Sequence, residues 1–290
     1  MMKIESSELI INERGAVYHL DIRPEELADT VITVGDPGRV EKVSKHFDTI
    51  EFKNSHREFI SHTGYIGNKR LTVLSTGIGP DNIDIVLNEL DALVNIDLEK
   101  RTVNDIKKSL NIIRIGTSGS LQADIPVDSF VAGTHGIGLD NLLHFYRFQN
   151  NPEELAIAGA FADHCHLHGN MSKPYVFSAS PLLLAKLAEG CHTGITVTCP
   201  GFYAPQGRVL RMGLSMPNLK ESLTSFRLGN HRITNFEMET SAIYGLGAAL
   251  GHHCLAVNAI VANRIVKQFS NDANAAVEKL IVQTLEKLAQ

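Results

Sequence analysis

Short runs of apolar and β-branched residues recur along the chain, and most of them end at glycine, proline or another turn-forming residue. Runs of about four to eight such residues are typical of strands buried inside a sheet. They lie at residues 31–34, 71–75, 112–115, 127–132, 193–197 and 254–262. The pattern therefore predicts several interior strands spread over most of the chain.

Residues at helical spacing alternate with these runs. Helices are predicted to follow the turns at Gly35 and Gly79, and further helical stretches lie at 153–166, 181–188, 237–250 and 273–288. This alternation predicts an α/β fold, in which helices flank a central mixed, mostly parallel β-sheet. No repeat or linker divides residues 1–290, so we expect a single domain. The charged segment 97–109 is interpreted as an exposed helical insertion.

Composition narrows the class of protein. The chain has 290 residues, of which 43% are hydrophobic and 20% charged, and a formal net charge of -5. This balance is typical of a globular protein and gives no basic surplus for binding nucleic acid. Its 4 cysteines never form a Cys-x-x-Cys pair, which predicts reduced thiols. No apolar run or N-terminal signal pattern indicates a membrane or secreted protein, so we expect a cytoplasmic one.

Two glycine-containing loops that follow predicted strands each carry an arginine. In 35–39, backbone N–H groups and Arg39 stand at the start of a helix, an arrangement that suits an anion such as phosphate. In 114–119, Arg114 lies in apolar sequence next to the hydroxyl of Thr117. An ordinary turn with a solvated Arg39, and a structural ion pair for Arg114, are the alternatives.

Two further clusters have both an ordinary and a functional interpretation. The acids of 237–240 are predicted to open a helix, where the helix dipole favours them whatever their role. They also offer carboxylate acceptors and an apolar contact for a sugar. His164 and His168 lie one helical turn apart, but no carboxylate or cysteine at ligand spacing accompanies them. We therefore predict no metal site there.

Taken together, the loops resemble those of the nucleoside phosphorylase family. The motifs occur in family order from about Val17 to the last predicted helix, at 35–39, 56–59, 75–79, 114–119, 237–239 and 263–264. The loop 202–208 is similar to the uracil pocket of the family's uridine-cleaving branch. Asn263 stands where the purine-cleaving branch has an aspartate. Ala204 and Pro205 depart from the pocket pattern, as Asn82 does from a serine near an interface cation site.

The resemblance implies a role for each candidate residue. Phosphate, the co-substrate, would be held by Gly35, Arg39, Arg114, Thr117 and a neighbouring chain's Arg57. Ribose would be held by Glu237, Met238, Glu239 and a neighbouring chain's His19, with Tyr18 beside that histidine. The base would contact Phe202, Gln206 and Arg208, with Arg264 supporting their loop. Arg114, Arg208 and Gln206 would be the catalytic residues.

The resemblance also implies an activity and an assembly. Phosphate would displace the base of a pyrimidine nucleoside such as uridine, without a cofactor or metal. Because two candidate residues would come from a neighbouring chain, we expect a homo-oligomer built from dimers. A purine nucleoside phosphorylase, a hydrolytic nucleosidase and a nucleoside-binding protein without turnover are the alternatives.

Overall fold

The computed structural model describes residues 3–167 and 173–290. The α-helices in these residues are α1 (Pro37–Ser44), α2 (Pro80–Asn95), α3 (Pro152–His164), α4 (Pro181–Leu187), α5 (Leu219–Ser225), α6 (Thr240–Leu250) and α7 (Ala273–Ala289). The strands are β1 (Thr30–Val34), β2 (Thr49–His56), β3 (Phe59–Ile66), β4 (Lys69–Ser75), β5 (Ile96–Asp97), β6 (Thr102–Val103), β7 (Asn111–Ser120), β8 (Phe130–Gly138), β9 (Tyr175–Ser178), β10 (His192–Thr198), β11 (Arg227–Leu228), β12 (His231–Glu237), β13 (His253–Asn263) and β14 (Gln268–Phe269).

Most strands of the described chain join one mixed sheet. Its order is β11-β12-β10-β8-β13-β7-β1-β4-β3-β2, with β9 beside β8 and β14 beside β13. Strands β4, β1, β7 and β13 run parallel to one another, and so do β8, β10 and β12. The two sets meet at an antiparallel pairing of β13 with β8. The predicted fold, a helix-flanked α/β domain with a mixed and mostly parallel sheet, is confirmed.

An additional pairing closes one part of the sheet on itself. The end of β12 also pairs antiparallel with the end of β7, where Asn235 faces Ser120 and Phe236 faces Gly119. Because β12 runs against β7 there, it continues toward the middle of β7. The residues that follow β12 are thereby brought back to Arg114, which a simple parallel sheet would not do.

The largest hydrophobic core lies around the central strands. Ile32, Ile113 and Leu255 are adjacent in the registers of β1, β7 and β13, and each is fully buried. Parallel strands of this kind are covered by helices on both faces of the sheet, so their apolar side chains pack against those helices. Helix α2 buries the face that its spacing predicted, with Ile83, Val86, Leu87 and Leu90 inside. Within the described residues no helix combines the length and hydropathy that a membrane crossing requires.

The helical interpretation of 97–109 is wrong. Strands β5 and β6 form a small antiparallel hairpin there, in which Ile96 faces Val103. The carboxylate of Asp97 accepts hydrogen bonds from the backbone N–H groups of Glu99 and Lys100, at 3.1 and 2.9 Å. Such a bond between an aspartate side chain and the backbone two or three residues later favours a turn over a helix.

The helix predicted at 237–250 begins later, at Thr240, because residues 231–237 form β12. That strand mixes charged and polar residues with few apolar ones, so its sequence does not show a buried run. Strands β2 and β3 were missed for a similar reason. Alternating polar and apolar residues in β2 match its largely exposed position at the edge of the sheet.

Candidate active site

Arg39 lies in the first turn of α1 and is directed toward β7. Asp36 caps the helix, since its carboxylate accepts a hydrogen bond of 2.9 Å from the backbone N–H of Gly38. The guanidinium of Arg39 donates from Nη1 to the carbonyl oxygen of Ile115 at 3.3 Å. Burial lowers the pKa of Arg39, and the nearby Arg114 lowers it further. The alternative of a solvated arginine in an ordinary turn does not describe this side chain.

Arg114 is buried, with 6% of its surface exposed. Nη2 donates to the carboxylate of Glu239 and lies 3.6 Å from that of Glu237, while Nη1 donates to Oδ1 of Asn258 at 2.9 Å. Burial alone would lower the pKa of Arg114, but the two carboxylates outweigh it and raise the pKa. Arg114 thus forms the ion pair that the alternative interpretation anticipates, and it does so beside Arg39.

The turn from β12 to α6 holds two acids in different environments. The carboxylate of Glu237 accepts hydrogen bonds from the hydroxyl of Thr198 and from the backbone N–H groups of Glu239 and Thr240, all between 2.9 and 3.0 Å. Glu239 accepts one from the backbone N–H of Gly79 at 2.9 Å and binds Arg114. Glu237 therefore organises the turn, while Glu239 connects it to the arginine.

Three other predicted site residues, Gly35, Thr117 and Met238, lie on the same loops and strands as the arginines and acids. A Cβ added at Gly35 would lie 3.3 Å from the carbonyl oxygen of Gly77, so the loops after β1 and β4 approach closely. Thr117 is half-buried inside β7, which continues to Ser120 along β13. The prediction that 114–119 is a loop after a strand is therefore wrong. Met238 is half-buried between the two acids.

The loop after β10 gathers the residues predicted to contact a base. The guanidinium carbon of Arg208 lies 3.8 Å from the centre of the Phe202 ring, and Nη1 donates to Oε1 of Gln206 at 2.6 Å. Arg264 donates to the backbone carbonyl of Gln206 at 3.4 Å. Burial lowers the pKa of Arg208, and the charge of Arg264 lowers it further. Phe202 remains half-exposed beside them.

This loop is adjacent to the acidic turn. Thr198 is the last residue of β10, and the next residue, Cys199, donates its backbone N–H to the carbonyl of Glu237 at 2.8 Å. Burial raises the pKa of the Cys199 thiol. The charge of Glu237 raises that pKa further, while the charge of Arg208 opposes the shift. The arginine pair, the acids and the predicted base loop therefore form one continuous site.

Arg57 and His19 have their own partners within the chain. Arg57 occupies the β2–β3 turn with φ at 55°, and its guanidinium stacks on Tyr18 at 5.6 Å. His19 is held by Glu89, whose carboxylate lies 2.6 Å from Nδ1 and also accepts the His19 backbone N–H. In the described part of the chain, the contacts of these two side chains do not include Arg39 or Arg114.

Two polar residues near the site were not identified from the sequence. Thr198 holds the carboxylate of Glu237, and Asn258 accepts from Arg114. Asn258 did carry a signal, because it is an isolated amide in an otherwise apolar run, and a buried amide needs partners. Thr198 carried none, since a threonine at the end of a strand is common.

Of the two histidines that could suggest a metal, the structure describes His164, and that side chain has other partners. His164 ends α3, and its Nε2 lies 3.0 Å from the hydroxyl of Ser225. His168 lies outside the described residues. Among the residues that the structure does describe, no group of three or more His, Cys, Asp or Glu side chains is arranged to hold a metal ion.

Residues 29–288 match the Phosphorylase superfamily. The chain belongs to that family. Among curated relatives, it is similar to the uridine phosphorylase of Haemophilus influenzae, with 30% identity over 94% of each chain. It is also similar to the uridine phosphorylase of Thermococcus kodakarensis, with 28% identity over 99% of this chain and 92% of the relative.

A solved structure carries the same indication. A nucleoside phosphorylase of Trypanosoma brucei, described as showing uridine phosphorylase activity, superposes with a TM-score of 0.89 and 32% identity. The match covers 97% of this chain and 99% of the other. The family match therefore covers residues 29–288, and the shared fold covers 97% of the chain.

Proposed function

We propose that this protein is a uridine phosphorylase, a pentosyltransferase that converts uridine and inorganic phosphate reversibly to uracil and ribose 1-phosphate in pyrimidine salvage. The observation that carries the proposal is the grouping of Arg39 and Arg114 beside Glu239. The arginines supply forked donors for phosphate oxygens, and the carboxylate can accept from a sugar hydroxyl. Phosphate and ribose would then lie side by side, as the reaction requires.

In the reaction, a phosphate oxygen forms a bond to C1′ of the ribose while the bond from C1′ to N1 of uracil breaks. The bonding electron pair leaves with the base. Arg39 and Arg114 hold the phosphate in line with C1′, so their main contribution is proximity and orientation. Glu239 and Met238 hold the sugar hydroxyls. The positive charge that develops on the sugar is met by the bound phosphate itself.

Negative charge develops on uracil as it departs, and the loop after β10 is suited to meet it. Arg208 and Gln206 present a cation and an amide, and their contact at 2.6 Å fixes one against the other. Preorganised donors aimed at developing charge are usually a large part of the rate enhancement. Phe202 offers a half-exposed ring face for the base, and Arg264 braces the loop.

The purine-cleaving alternative would require a proton donor for the departing base. Asn263, where that branch has an aspartate, is 1% exposed, and its side-chain nitrogen donates to the carbonyls of Gln122 and Ile125. Its oxygen accepts from the backbone N–H groups of Ile265 and Val266. The amide is thereby committed to the backbone, which favours the uridine reaction over the purine one.

The test is ultraviolet-monitored cleavage by the purified protein of uridine and, separately, inosine, each with and without phosphate. We expect loss of uridine only when phosphate is present. Cleavage of inosine would favour the purine alternative, and cleavage without phosphate a nucleosidase. Binding of uridine without cleavage would indicate a non-catalytic protein and would contradict the proposal.

Because the family resemblance assigns Arg57 and His19 to the site of a neighbouring chain, the proposal includes a dimer with shared sites. Each chain would lend its Arg57 to the partner's phosphate and its His19 to the ribose 5′-hydroxyl. The exposed position of Arg57 in the β2–β3 turn fits this role. Whether dimers assemble further is a separate question of association between dimers.

Mixing two inactive variants provides a test of the shared site. Arg57→Ala and Arg208→Ala should each be inactive alone, yet a mixed dimer contains one site with both arginines intact. After unfolding and refolding together in equal amounts, about a quarter of the sites should be active. Separately refolded samples, combined just before the assay, are the control. Absence of recovery in the co-refolded sample would mean that Arg57 acts within its own chain.

The pH dependence should reflect Glu237. Burial raises its pKa from 4.5 to about 7, with the charge of Arg114 opposing the shift. The ionised carboxylate is the form that accepts the backbone N–H groups of the turn, so kcat/KM for uridine should rise from about pH 6 to about pH 8. The stability of the protein should depend on pH in the opposite direction. The raised pKa of Glu237 stabilises the folded protein fully below the unfolded pKa of the carboxyl group, and this stabilisation is lost as the pH rises through about 7.

The variant Glu237→Gln tests this assignment, since glutamine does not titrate and keeps one of the two acceptor oxygens. Its activity profile should lose the inflection near neutral pH. An unchanged inflection would assign the titration to another group.

Inorganic phosphate is the co-substrate in this proposal, and the chemistry needs no organic cofactor or metal. We also propose a cytoplasmic location. The cysteines of the described chain, Cys165, Cys191, Cys199 and Cys254, are unpaired, as is usual in a reducing compartment.

A further inference from the structure

The guanidinium of Arg114 is folded back over the main chain of its own strand. A Cβ added at Gly116 would lie 1.5 Å from Nη1 of Arg114 and 2.4 Å from Oδ1 of Asn258. Asn258 faces Gly116 in the register between β13 and β7, so both side-chain positions lie on one face of the sheet. The missing side chain at 116 therefore creates the space in which Arg114 and Asn258 meet.

The amide of Asn258 can have only one orientation in this space. A guanidinium carries donors and no acceptor, so the oxygen of the amide must face Nη1. Asn258 is fully buried, and within the described residues its Nδ2 has no hydrogen-bond partner. Leaving a buried donor unpaired costs stability. The amide at this position therefore lowers the stability of the folded protein.

Two other buried asparagines differ in this respect. Asn95 donates to Asp91 and to the carbonyl of Lys108, and its oxygen accepts the backbone N–H of Lys108. Asn263 is likewise bonded at both ends of its amide. Both serve the local backbone. Asn258 instead has a single partner in the described chain, and that partner is the arginine proposed to bind phosphate.

On this basis, and resting on the proposed function, we infer that Asn258 is a positioning residue that fixes the guanidinium of Arg114 for phosphate. Glu239 holds Nη2, so an acceptor at Nη1 fixes the guanidinium plane at both ends. Each of these nitrogens carries a second N–H that can be offered to a phosphate oxygen.

The neutral charge of the amide matters for this role. Glu237 and Glu239 already lie beside the guanidinium and offset part of the positive charge of Arg39 and Arg114. A third carboxylate at 258 would hold Nη1 equally well but would repel a phosphate anion. An amide positions the arginine without weakening the field that attracts the substrate.

The variants Asn258→Leu and Asn258→Asp separate these effects. Leucine is similar in size and removes the acceptor, and we expect KM for phosphate to rise about ten- to a hundredfold while KM for uridine changes less than about twofold. Aspartate keeps an acceptor of the same shape and adds charge, so it should also raise KM for phosphate. If leucine destabilises the fold, the ratio of KM for phosphate to KM for uridine, measured below the melting temperature of the variant, still tests the inference.

The matched control is Asn95→Ala. Asn95 is the last residue of α2, about 22 Å along the helix from its first residue, next to Gly79, whose backbone N–H binds Glu239. This substitution should lower the melting temperature without changing either KM. The inference is wrong if both Asn258 variants keep the wild-type KM for phosphate, or if KM for phosphate and uridine rise together as in a general loss of structure.

Calorimetric titration with inorganic phosphate distinguishes this inference from the proposed function. If wild-type protein binds phosphate but does not cleave uridine, the proposed function fails, and weaker phosphate binding by Asn258→Leu still supports the positioning role. Equal phosphate affinity in the two proteins, or no phosphate binding by wild type, would overturn the inference.

Discussion

Replacing Arg114 with methionine is expected to lower both the stability of the protein and its turnover. Arg114 is buried, and its removal leaves the carboxylates of Glu239 and Glu237 without their counter-charge. Breaking a buried ion pair in this way typically costs about 3 to 5 kcal/mol of unfolding free energy. Loss of a charged donor at the reacting group should also lower phosphate-dependent turnover about a hundred- to a thousandfold. Urea unfolding and steady-state kinetics measure the two effects.

Two controls make this result specific. The double variant Arg114→Met with Glu239→Gln removes one of the two stranded carboxylates, so it should recover part of the stability but not turnover. Arg232→Ala removes an exposed ion pair with Asp124, 2.8 Å long, and should cost only about 0.2 to 1 kcal/mol. If the Arg114 variant were no less stable than the Arg232 variant, the buried ion pair would not have the importance assigned to it.

Replacing Arg208 with alanine is expected to lower turnover of uridine about a hundred- to a thousandfold. In the described chain neither Arg208 nor Arg264 forms an ion pair with a carboxylate. Burial lowers the pKa of both arginines, and the charge of Arg264 lowers that of Arg208 further. Two cations without a counter-charge are well placed for a base that becomes anionic. Because phosphate is proposed to bind at Arg39 and Arg114, its KM should change little. Steady-state kinetics with either substrate varied will separate the two effects.

Arg211→Ala is the matched control, since Arg211 is an exposed arginine shortly after Arg208. It should keep wild-type turnover. Full turnover in the Arg208 variant would remove that residue from the mechanism. A similar loss in both variants would instead indicate a general effect of charge on substrate attraction, which added salt would suppress.

The sequence predicted the parts of this fold that depend on local patterns. Buried strands such as β1 and β13 show continuous apolar runs, and α2 shows both its starting proline and its buried face. Strand β12 could not be recognised, because only two of its seven residues are apolar and they lie three positions apart, which matches neither a buried run nor an alternating strand. The segment 97–109 was assigned to a helix because charged residues also suit one. In the structure, a hydrogen bond from the backbone N–H of Glu99 to the carboxylate of Asp97 stabilises a turn there instead.

The candidate site was predicted as a set of residues and not as a geometry. Arg114 and Glu239 are 125 positions apart, and they meet because β12 runs back along β7. No local pattern indicates that pairing. Arg114 also bends back over Gly116 to contact Asn258, and this contact depends on the register between β13 and β7, which are distant in sequence. Motifs can therefore identify such residues, while the partner of each arginine follows only from the sheet.

Strand β7 has a further consequence for how the molecule opens. It pairs with β1 on one side, with β13 on the other, and with β12 at its end. Thermal fluctuations that detach one neighbour leave the other pairings in place. The amides of β7 can therefore exchange with solvent only in the rarest, most extensive openings. Arg114 is therefore anchored in a strand whose amides should exchange slowly, whereas Arg57 lies in a turn at the edge of the sheet.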